Sequence, residues 1–246
     1  MSRSSTRQAI VLGHVDYGEA DRIVRLLTAE DGRIAAMARG ARRSKRRFAG
    51  TLDLGNRVRI QLKSGKGALP VITEVQLEEG HPHVRGDLAR ITLMAYACEL
   101  VAALARENHS EPKLFGLLQV ALLVLDGASE APGAVFRWGL ESKALSFAGL
   151  TPGLRRCMVC EHDFGGEGLR YSPSLGGVVH AHCGSGAVVD AQWCARVESA
   201  RMTPLASLVD EQPVPGPVWA LYDHLVWHAG HPLKSRALLA TLGELD

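Results

Sequence analysis

The chain has 246 residues, 46% of them hydrophobic, which suffices for one large domain or for two to three small ones. Its 28 Lys and Arg residues against 26 Asp and Glu give a formal net charge of +2 at pH 7. The apolar stretches are shorter than the roughly 20 residues of a membrane-spanning helix, and the polar N-terminus lacks a secretory signal. We therefore expect a cytoplasmic protein without a membrane partner.

The charge is unevenly distributed along the chain. Residues 1–80 contain 15 Lys and Arg against 9 Asp and Glu, whereas residues 81–246 contain 13 against 17. A basic N-terminal part on an acidic remainder predicts an anionic partner for the N-terminal part only.

Residues 1–80 have the pattern of short strands with tight connections. In residues 57–63, apolar Val58, Ile60 and Leu62 alternate with polar and basic residues, which predicts a half-buried strand with a basic outer face. Four more short apolar runs are separated by turn residues, at 9–13, 21–27, 33–38 and 69–77. Five strands within about 70 residues predict a small closed barrel of the OB type.

An arginine-rich segment follows the third predicted strand. Residues 39–47 carry six cations, and arginine presents a planar fork of donors that suits phosphate oxygens, although a solvated loop is the alternative. Phe48 is consistent with stacking on a base or with a place in the core. We predict that the cations of this segment and of the strands form a surface that binds nucleic acid or another phosphate-bearing partner: Arg33, Arg39, Arg42, Arg43, Lys45, Arg46, Arg47, Arg57, Arg59 and Lys63.

The pattern changes to that of helices from residue 81. Residues 88–106 are apolar around the whole circumference, which predicts the central helix of a bundle. Further helices are predicted at 112–126, 134–149, 191–201, 218–229 and 235–242. The predicted fold is therefore α+β and multi-domain, with a barrel at 1–80 and a helical domain in two parts, 81–150 and 190–246.

The glycine-rich residues 151–189 interrupt the helical domain and contain three of the five cysteines. Cys157 and Cys160 form a C-x-x-C pair, and His180 and Cys183 repeat its spacing after nineteen intervening residues, as in ribbon-type zinc sites. His180 is preferred to His182 as the fourth ligand because adjacent residues chelate one ion less readily, but the choice stays open. We predict a zinc-ribbon-like insertion with one structural Zn²⁺ per chain.

Four protein ligands leave no position for a water molecule, so a structural ion is favoured over a catalytic one. Gly184, directly after the second pair, is expected to permit a tight turn. A redox role for Cys157 and Cys160 is the alternative, although the βαβ context of a thioredoxin-type motif is missing. We find no phosphate-binding loop, dinucleotide fingerprint or nucleophile elbow, and predict no catalytic residue.

A series of motifs, in order along the chain, resembles the RecO family of bacterial recombination mediators and DNA repair proteins. The matching residues are Ala9-Ile-Val-Leu-Gly13, Tyr17-Gly-Glu-Ala-Asp21, Leu26-Leu-Thr28, Gly32-Arg33, Ala38-Arg-Gly-Ala-Arg-Arg43, Leu150-Thr-Pro152, the Cys157 and Cys160 pair, and Leu233-Lys-Ser-Arg236. The resemblance runs through nearly the whole chain and implies an OB-fold, a helical domain and a zinc-finger insertion. One departure is that zinc-binding members often carry two C-x-x-C pairs, and the second pair here is H-x-x-C.

The resemblance also implies a function without covalent chemistry. Such a protein binds single- and double-stranded DNA, anneals complementary strands and, with RecR, helps to load RecA onto DNA covered by single-strand-binding protein. Lys234 and Arg236 match a C-terminal region that receives the acidic tail of single-strand-binding protein in the implied family mechanism, whereas a part for RecF stays open. The implied location is the cytoplasm, in association with the nucleoid. A protein-docking adaptor with secondary DNA contact and a zinc-dependent nucleic-acid hydrolase are the alternatives.

Overall fold

The computed structural model describes residues 4–44, 46–64, 69–165 and 168–242. The chain forms two compact units. One contains the described residues up to Gly86 together with Ala105–Asp126, and the other contains Asp87–Leu104 and the described residues from Gly127 onwards. The domain boundaries predicted at residues 80, 150 and 189 rest on changes of sequence pattern, whereas these two units are defined by compactness. The predicted boundaries therefore stay a proposal.

A five-stranded closed barrel forms most of the first unit, as predicted. Its strands are Ser4–Tyr17 (β1), Asp21–Thr28 (β2), Gly32–Ala38 (β3), Arg57–Lys63 (β4) and Val71–Glu79 (β5), in the order β1-β2-β3-β5-β4. The alternation expected for β4 is confirmed, because Val58, Ile60 and Leu62 are buried and the residues between them are not. β1 is longer than predicted because its polar N-terminal half pairs with β4.

The barrel is not equally well closed along its circumference. β1–β2, β2–β3, β1–β4 and β4–β5 are antiparallel pairs of seven to nine residues' length, whereas β3 and β5 are parallel and share the single pair Met37–Val71. The backbone amide of Met37 donates to the carbonyl of Pro70 at 2.8 Å at this point. The barrel therefore has a short seam between β3 and β5.

A helix at Pro112–Gly127 (α2) and the segment before it belong largely to the barrel unit. The turn between β2 and β3 lies directly against this segment at Gly32, which has φ +61°. A Cβ atom at Gly32 would lie 2.2 Å from the carbonyl oxygen of His109 and 2.6 Å from that of Arg106. Only glycine satisfies both the backbone angle and the close approach.

The second unit is a helical bundle with a central apolar helix. Its helices are Leu88–Leu104 (α1), Ala134–Phe147 (α3), Ala191–Met202 (α4), Ala220–Ala229 (α5) and Ser235–Thr241 (α6). α1 packs against α3, α5 and α6, which explains why its sequence is apolar on every side. Each predicted helix is present, with bounds that differ by no more than two residues from those expected.

An ion pair lies in the centre of the bundle, where the sequence did not predict one. Arg137 and Glu141 are fully buried on α3 and approach each other to 3.0 Å. Tyr96 donates its hydroxyl hydrogen to the Glu141 carboxylate, and Arg137 also donates to the carbonyl of Val218 at 3.0 Å. Burial raises the pKa of Glu141, which is opposed by the charge of Arg137. The partners fix the position of this helix relative to α1 and to the chain before α5.

The insertion between α3 and α4 contains a small antiparallel sheet. Its strands are Leu169–Ser172 (β6), Gly177–His180 (β7) and Ala187–Val189 (β8), in the order β7-β6-β8. Gly177 lies so close to Gly153 that a Cβ atom would be 2.3 Å from the Gly153 carbonyl oxygen. This contact holds the chain before Cys157 beside β7. No helix among the described residues is both long and apolar enough to cross a membrane.

Candidate nucleic-acid interface and metal centre

The arginine-rich segment, residues 39–47, is anchored to the barrel at two points. Ala41 and Phe48 are buried and belong to the barrel's hydrophobic core, with 6% and 4% of their surface exposed. The amide of Gly40 donates to the Asp21 carboxylate at 2.8 Å, and the amide of Phe48 donates to the Ser44 hydroxyl at 3.1 Å. Phe48 is thus a core residue, and the interpretation of it as a base-stacking residue is wrong.

The arginines of the segment fall into two groups. Arg42 donates to the carbonyl of Gly18 at 2.8 Å, and Arg47 donates to the carbonyl of Arg39 at 2.5 Å while its guanidinium carbon lies 4.3 Å from the centre of the Phe48 ring. These two side chains help to hold the loop in place. Exposed side chains of the segment extend from this frame at Arg39, Arg43 and Arg46.

Few carboxylates oppose these charges. Arg42 lies 3.3 Å from Asp16, and Arg43 lies 3.4 Å from Glu19. The Arg43 and Glu19 side chains are 72% and 93% exposed, so this contact contributes little free energy. Lys45, which we predicted to contact DNA, lies outside the described residues.

The cations predicted on the strands are less available than their spacing suggested. Arg57 is only 18% exposed and lies 2.7 Å from Glu79, and Arg59 lies 2.8 Å from Glu78. These carboxylates belong to β5, the neighbour of β4, so most of the positive charge expected on the outer face of β4 is compensated. Lys63 at the end of β4 is exposed, whereas Arg33 on β3 lies 3.0 Å from Glu107.

One basic residue near this surface was missed by sequence reasoning. Arg25 is exposed on β2, and its guanidinium lies beside Gly13, where a Cβ atom would be 3.1 Å from the Arg25 Nη2 atom. The alternation in β2, where Val24 and Leu26 are buried, would have placed Arg25 on the outer face. Arg25 has no basic neighbour within two residues in the sequence, so this alternation was the signal that could have identified it.

Four residues of the insertion converge on one point. The ligand atoms of Cys157, Cys160, His180 and Cys183 all lie within 4.8 Å of one another, and the Cys160 sulfur is 3.4 Å from the His180 Nδ1 atom. Three thiolates and one imidazole are a ligand set of structural zinc, whose tetrahedral site with Zn–S bonds of about 2.3 Å places the sulfurs about 3.8 Å apart. The donor atoms and their spacing therefore fit such an ion. His182 is exposed and stacks on His180 at a ring distance of 5.4 Å.

Two similar turns present these ligands. The amide of Glu161 donates to the carbonyl of Cys157 at 3.0 Å, and the amide of Gly184 donates to that of His180 at 3.2 Å. The left-handed residue is Glu161, with φ +62°, and Gly184 has no positive φ. A Cβ atom at Gly184 would instead lie 3.0 Å from a methyl group of Leu175, a tight contact that glycine avoids. The expectation that Gly184 permits the turn through its backbone freedom is wrong.

The thiols of the cluster differ in acidity. Burial opposes ionisation of Cys157, but hydrogen bonds from the backbone amides of Cys160, His180 and Val159 lower the pKa of this thiol to about 6. Burial and the neighbouring thiols raise the pKa of Cys183 to about 11. The backbone thus stabilises one thiolate, and a second negative charge beside it requires a cation.

The C-terminal cations lie at the start of α6. Lys234 is exposed, whereas the Arg236 guanidinium carbon is 4.1 Å from the centre of the Trp219 ring. The Glu99 carboxylate accepts hydrogen bonds from the amide and the hydroxyl of Ser235, at 2.9 and 2.7 Å. This contact fixes the first turn of α6, which belongs to the unit that does not contain the arginine-rich segment.

Comparison with known proteins covers both units. The family description "Recombination protein O N terminal" matches residues 1–81, and "Recombination protein O C terminal" matches residues 85–237. The chain belongs to the RecO family. The DNA repair protein RecO of Myxococcus xanthus is 36% identical over 242 residues, which is 96% of each chain, and that of Pelobacter propionicus is 36% identical over 238 residues, which is 94% of each.

A third RecO relative, from Anaeromyxobacter dehalogenans, is 35% identical over 246 residues, or 96% of each chain. The coverage confirms the resemblance that the ordered motifs predicted. Membership of the RecO family gives the chain a role in DNA repair and recombination. The OB-type barrel and the group of three cysteines and one histidine agree with the predicted fold class.

Proposed function

We propose that the protein is a recombination mediator that binds single- and double-stranded DNA through the arginine-rich segment of its barrel and anneals complementary strands. The observation that carries the proposal is the anchoring of this segment by Ala41 and Phe48, which presents exposed arginines from a fixed frame. OB folds bind oligonucleotides on the β2–β3 face and on the loops beside it. The segment follows β3 directly and contacts the β1–β2 turn through Arg42.

The proposed mechanism is electrostatic and needs no catalytic residue. DNA carries one negative charge for about every 1.7 Å of duplex, and a protein that neutralises phosphates releases the counterions around them. Two strands bound by the same basic surfaces repel each other less, which speeds their pairing. Phosphate contacts carry no sequence information, so the binding is expected to be largely independent of sequence.

The rest of the DNA-binding surface is proposed to lie around this segment. Arg33 and Lys63 are included as cations on β3 and β4 of the same barrel, and Lys45 is included on its position in the sequence. Arg57 and Arg59 are proposed to contribute less to DNA binding, because a phosphate would have to compete with Glu78 and Glu79 for them.

We further propose that the four ligands of the insertion, Cys157, Cys160, His180 and Cys183, hold one Zn²⁺. When bound, the ion joins the two turns in the way that a small core would. The two ligand pairs come from separate turns of the insertion, so the ion would link parts of the chain that are far apart in sequence. The side chains close the coordination sphere, and the proposed role is structural.

The proposed partners follow the family. The protein works with RecR to load RecA onto DNA covered by single-strand-binding protein, in the cytoplasm and in association with the nucleoid. Lys234 and Arg236 are the proposed contacts for the acidic tail of single-strand-binding protein. The exposed Lys234 suits a charge contact, whereas Arg236 would keep its stacking on Trp219. Participation of RecF is left open.

The test of DNA binding uses two of the three exposed arginines that do not hold the loop. R43A/R46A is expected to weaken binding to single strands and duplexes alike, because both side chains are exposed. The slope of log K against log salt for single strands should fall in magnitude by about 1.4, or about 0.7 for each lost phosphate contact. Fluorescence anisotropy titrations at several salt concentrations measure both quantities.

The matched control is K113A/R155A, which removes two exposed cations elsewhere and leaves the net charge equal to that of R43A/R46A. It should bind DNA as the parent does. An equal loss of DNA affinity in both variants would mean that net charge alone accounts for the effect. If R43A/R46A bound DNA as tightly as the parent, the proposed surface would be wrong.

A further inference from the structure

The hairpin that joins β1 to β2 presents an aromatic side chain to solvent. Tyr17 is the last residue of β1, and 56% of its surface is exposed. The barrel unit has two phenylalanines, Phe48 and Phe115, and both are buried. Of the Phe, Tyr and Trp residues that the structure describes in this unit, Tyr17 is therefore the exposed one.

Tyr17 belongs to an apolar surface on the outside of the barrel. Val24 lies in the barrel core, and because side chains alternate along a strand, its neighbour Ile23 faces outward from β2. Ile23 pairs with Val15 of β1, and paired residues direct their side chains to the same face. Val15, itself 51% exposed, shares this face with Tyr17 two residues later. We call the surface of Tyr17, Val15 and Ile23 the hairpin platform.

The turn of this hairpin is fastened to the arginine-rich segment. The backbone amide of Arg42 donates to the carbonyl of Ala20 at 3.0 Å, and its guanidinium donates to the carbonyl of Gly18 at 2.8 Å. Asp21, the first residue of β2, accepts a hydrogen bond from the amide of Gly40 at 2.8 Å. These bonds fix the hairpin platform beside the cations of the segment, so a ligand of both would not have to order the chain first.

Arginines compensate the carboxylates near the hairpin platform. Asp16 lies 3.1 Å from Arg22 and 3.3 Å from Arg42. Glu19, in the turn, lies 3.4 Å from Arg43 and is almost fully exposed, so water screens its charge. A polyanionic strand is therefore not repelled from the apolar surface by these residues.

We propose that Tyr17 stacks against one base of single-stranded DNA while the arginine-rich segment binds the adjoining phosphates. The inference rests on the proposed function and adds a contact for single strands. Aromatic rings beside a positively charged groove are a general means of binding single strands, and every base has a face that can stack. Val15 and Ile23 extend the apolar surface on which the base would lie.

Duplex DNA would gain little from this ring. The bases of a duplex are stacked on one another, so their faces are not accessible to a side chain unless a base is first unstacked. The phosphates of a duplex, by contrast, stay accessible to the arginines. The hairpin platform would therefore add affinity for single strands and leave duplex binding to the arginine-rich segment.

A protein partner is a poorer occupant of the hairpin platform. A specific protein–protein interface buries about 800 Å² on each partner and involves about 20–30 residues a side. The hairpin platform has three side chains, and charged residues of the hairpin and of the arginine-rich segment lie around it. Stacking of a base requires only one face of the Tyr17 ring.

Four substitutions of Tyr17 separate the ring from its apolar bulk. Y17A and Y17L, which lack the ring, are expected to weaken binding of a fluorescein-labelled oligothymidine by about tenfold, within the range for loss of one stacked base. Y17F and Y17W keep an aromatic face and should bind it within about twofold of the parent. Binding of a duplex should stay within about twofold of the parent in all four, because its phosphate contacts are unchanged.

Two controls establish that a loss of affinity is specific. L77A removes an apolar side chain that is 44% exposed on β5 and should bind both DNAs as the parent does. Urea unfolding establishes that each variant is folded. Y17L retains apolar bulk on the strand, so a folding defect in Y17A does not end the test.

An abasic oligonucleotide tests the base contact directly, because it has the phosphates of a single strand and no bases. The parent should bind oligothymidine more tightly than the abasic strand, and Y17A should reduce this preference by about tenfold. Binding of the abasic strand itself should be similar in Y17A and the parent. An equal loss of both strands in Y17A would mean that Tyr17 supports the arginine-rich segment, which overturns the stacking proposal.

Comparison with R43A/R46A separates the stacking proposal from the proposed function. If R43A/R46A loses both DNAs while Y17A and Y17L bind single strands like the parent, the stacking proposal is wrong and the proposed function stands. Unchanged DNA binding by Y17A together with weaker binding to a protein partner would assign the ring to protein docking and also overturn the stacking proposal. A parent protein that binds neither DNA would overturn the proposed function itself.

Discussion

At the scale of single residues, the carboxylates beside an arginine decide whether its charge is available to a ligand, as Arg57 and Glu79 show. The alternation in β4 correctly separated buried Val58 from outward Arg57, but no local pattern shows that Arg57 is paired with Glu79 of the next strand. Phe48 illustrates the same limit, since a lone aromatic after a basic run fits a core and a ligand site equally well. Ion pairs between strands and the burial of side chains depend on the three-dimensional fold. The residues adjacent in sequence therefore do not reveal them.

The two histidines of the insertion provide a residue-scale prediction. H180A is expected to lose most of the proposed zinc because the His180 ring belongs to the ligand cluster, whereas H182A should retain about one equivalent because His182 is exposed outside it. Elemental analysis of the purified proteins measures the metal. Equal zinc in H180A and the parent would contradict the assignment, and H182A is the matched control.

His224 predicts a dependence of stability on pH. It is 1% exposed, its Nδ1 atom is 2.8 Å from the Tyr171 hydroxyl, and burial with the nearby His228 lowers its pKa to about 4, against 6.5 for an exposed histidine. The unfolded chain therefore binds more protons between these values, and stability is lost as the pH falls through this window. The loss attributable to His224 between pH 7 and 5 is about 2 kcal/mol.

Urea unfolding at the two pH values measures this loss. H224Q should lack this part of the pH dependence, although it is less stable at pH 7. H228N, a change at an exposed position, should retain most of it. The same pH dependence in H224Q and the parent would show that other groups are responsible.

At the scale of elements, the long segments were predictable and the short ones were not. The apolar circumference of α1 and the alternation of β4 each extend over at least seven residues, so the periodicity is clear. The strands of the insertion have only three or four residues, and β7 is buried along its whole length. No alternation can appear in so short a stretch, and the glycine-rich sequence gave no other indication of a sheet.

The turn between β2 and β3 supports a prediction about Gly32. G32A is expected to lower the free energy of unfolding by about 3 kcal/mol or more, because it combines a positive φ with a Cβ atom 2.2 Å from the His109 carbonyl oxygen. G50A has a similar φ, +67°, but nothing within 4 Å of its Cβ position. It should cost only about 1 kcal/mol.

Urea denaturation of the two variants gives the difference directly. A G32A protein as stable as G50A would mean that the β2–β3 turn does not pack against the segment before α2 in solution.

At the scale of the whole molecule, the family could be predicted from the sequence, but the grouping of the helices could not. Several motifs in the same order as in the family are more specific than any single motif. The matches to both family descriptions confirm the prediction made from them. The grouping of α2 with the barrel and of α1 with the later helices depends on contacts between residues far apart in sequence. Apolar helices such as these can pack against a sheet or against other helices, and composition does not choose between them.

The division into two units predicts that zinc and DNA binding are separable. Removal of the proposed zinc with a chelator should make the insertion sensitive to trypsin, because the two turns that carry its ligands would lose the link between them. The affinity for DNA should stay within about twofold, since the arginine-rich segment is anchored in the barrel core. Proteolysis followed by mass spectrometry, with anisotropy on the same sample, checks both results. A parallel loss of DNA binding would place the insertion in the DNA interface.

The aromatic residues are distributed as unevenly as the charges. All four tryptophans, Trp138, Trp193, Trp219 and Trp227, lie in the unit formed by the helices and the insertion. Trp138 and Trp193 are fully buried there with their ring centres 6.1 Å apart, while Trp227 is 61% exposed. Intrinsic tryptophan fluorescence therefore reports on this unit alone, because the sequence of the barrel unit contains no tryptophan. A tryptophan introduced into the barrel would give the protein a second, independent fluorophore with which to follow DNA.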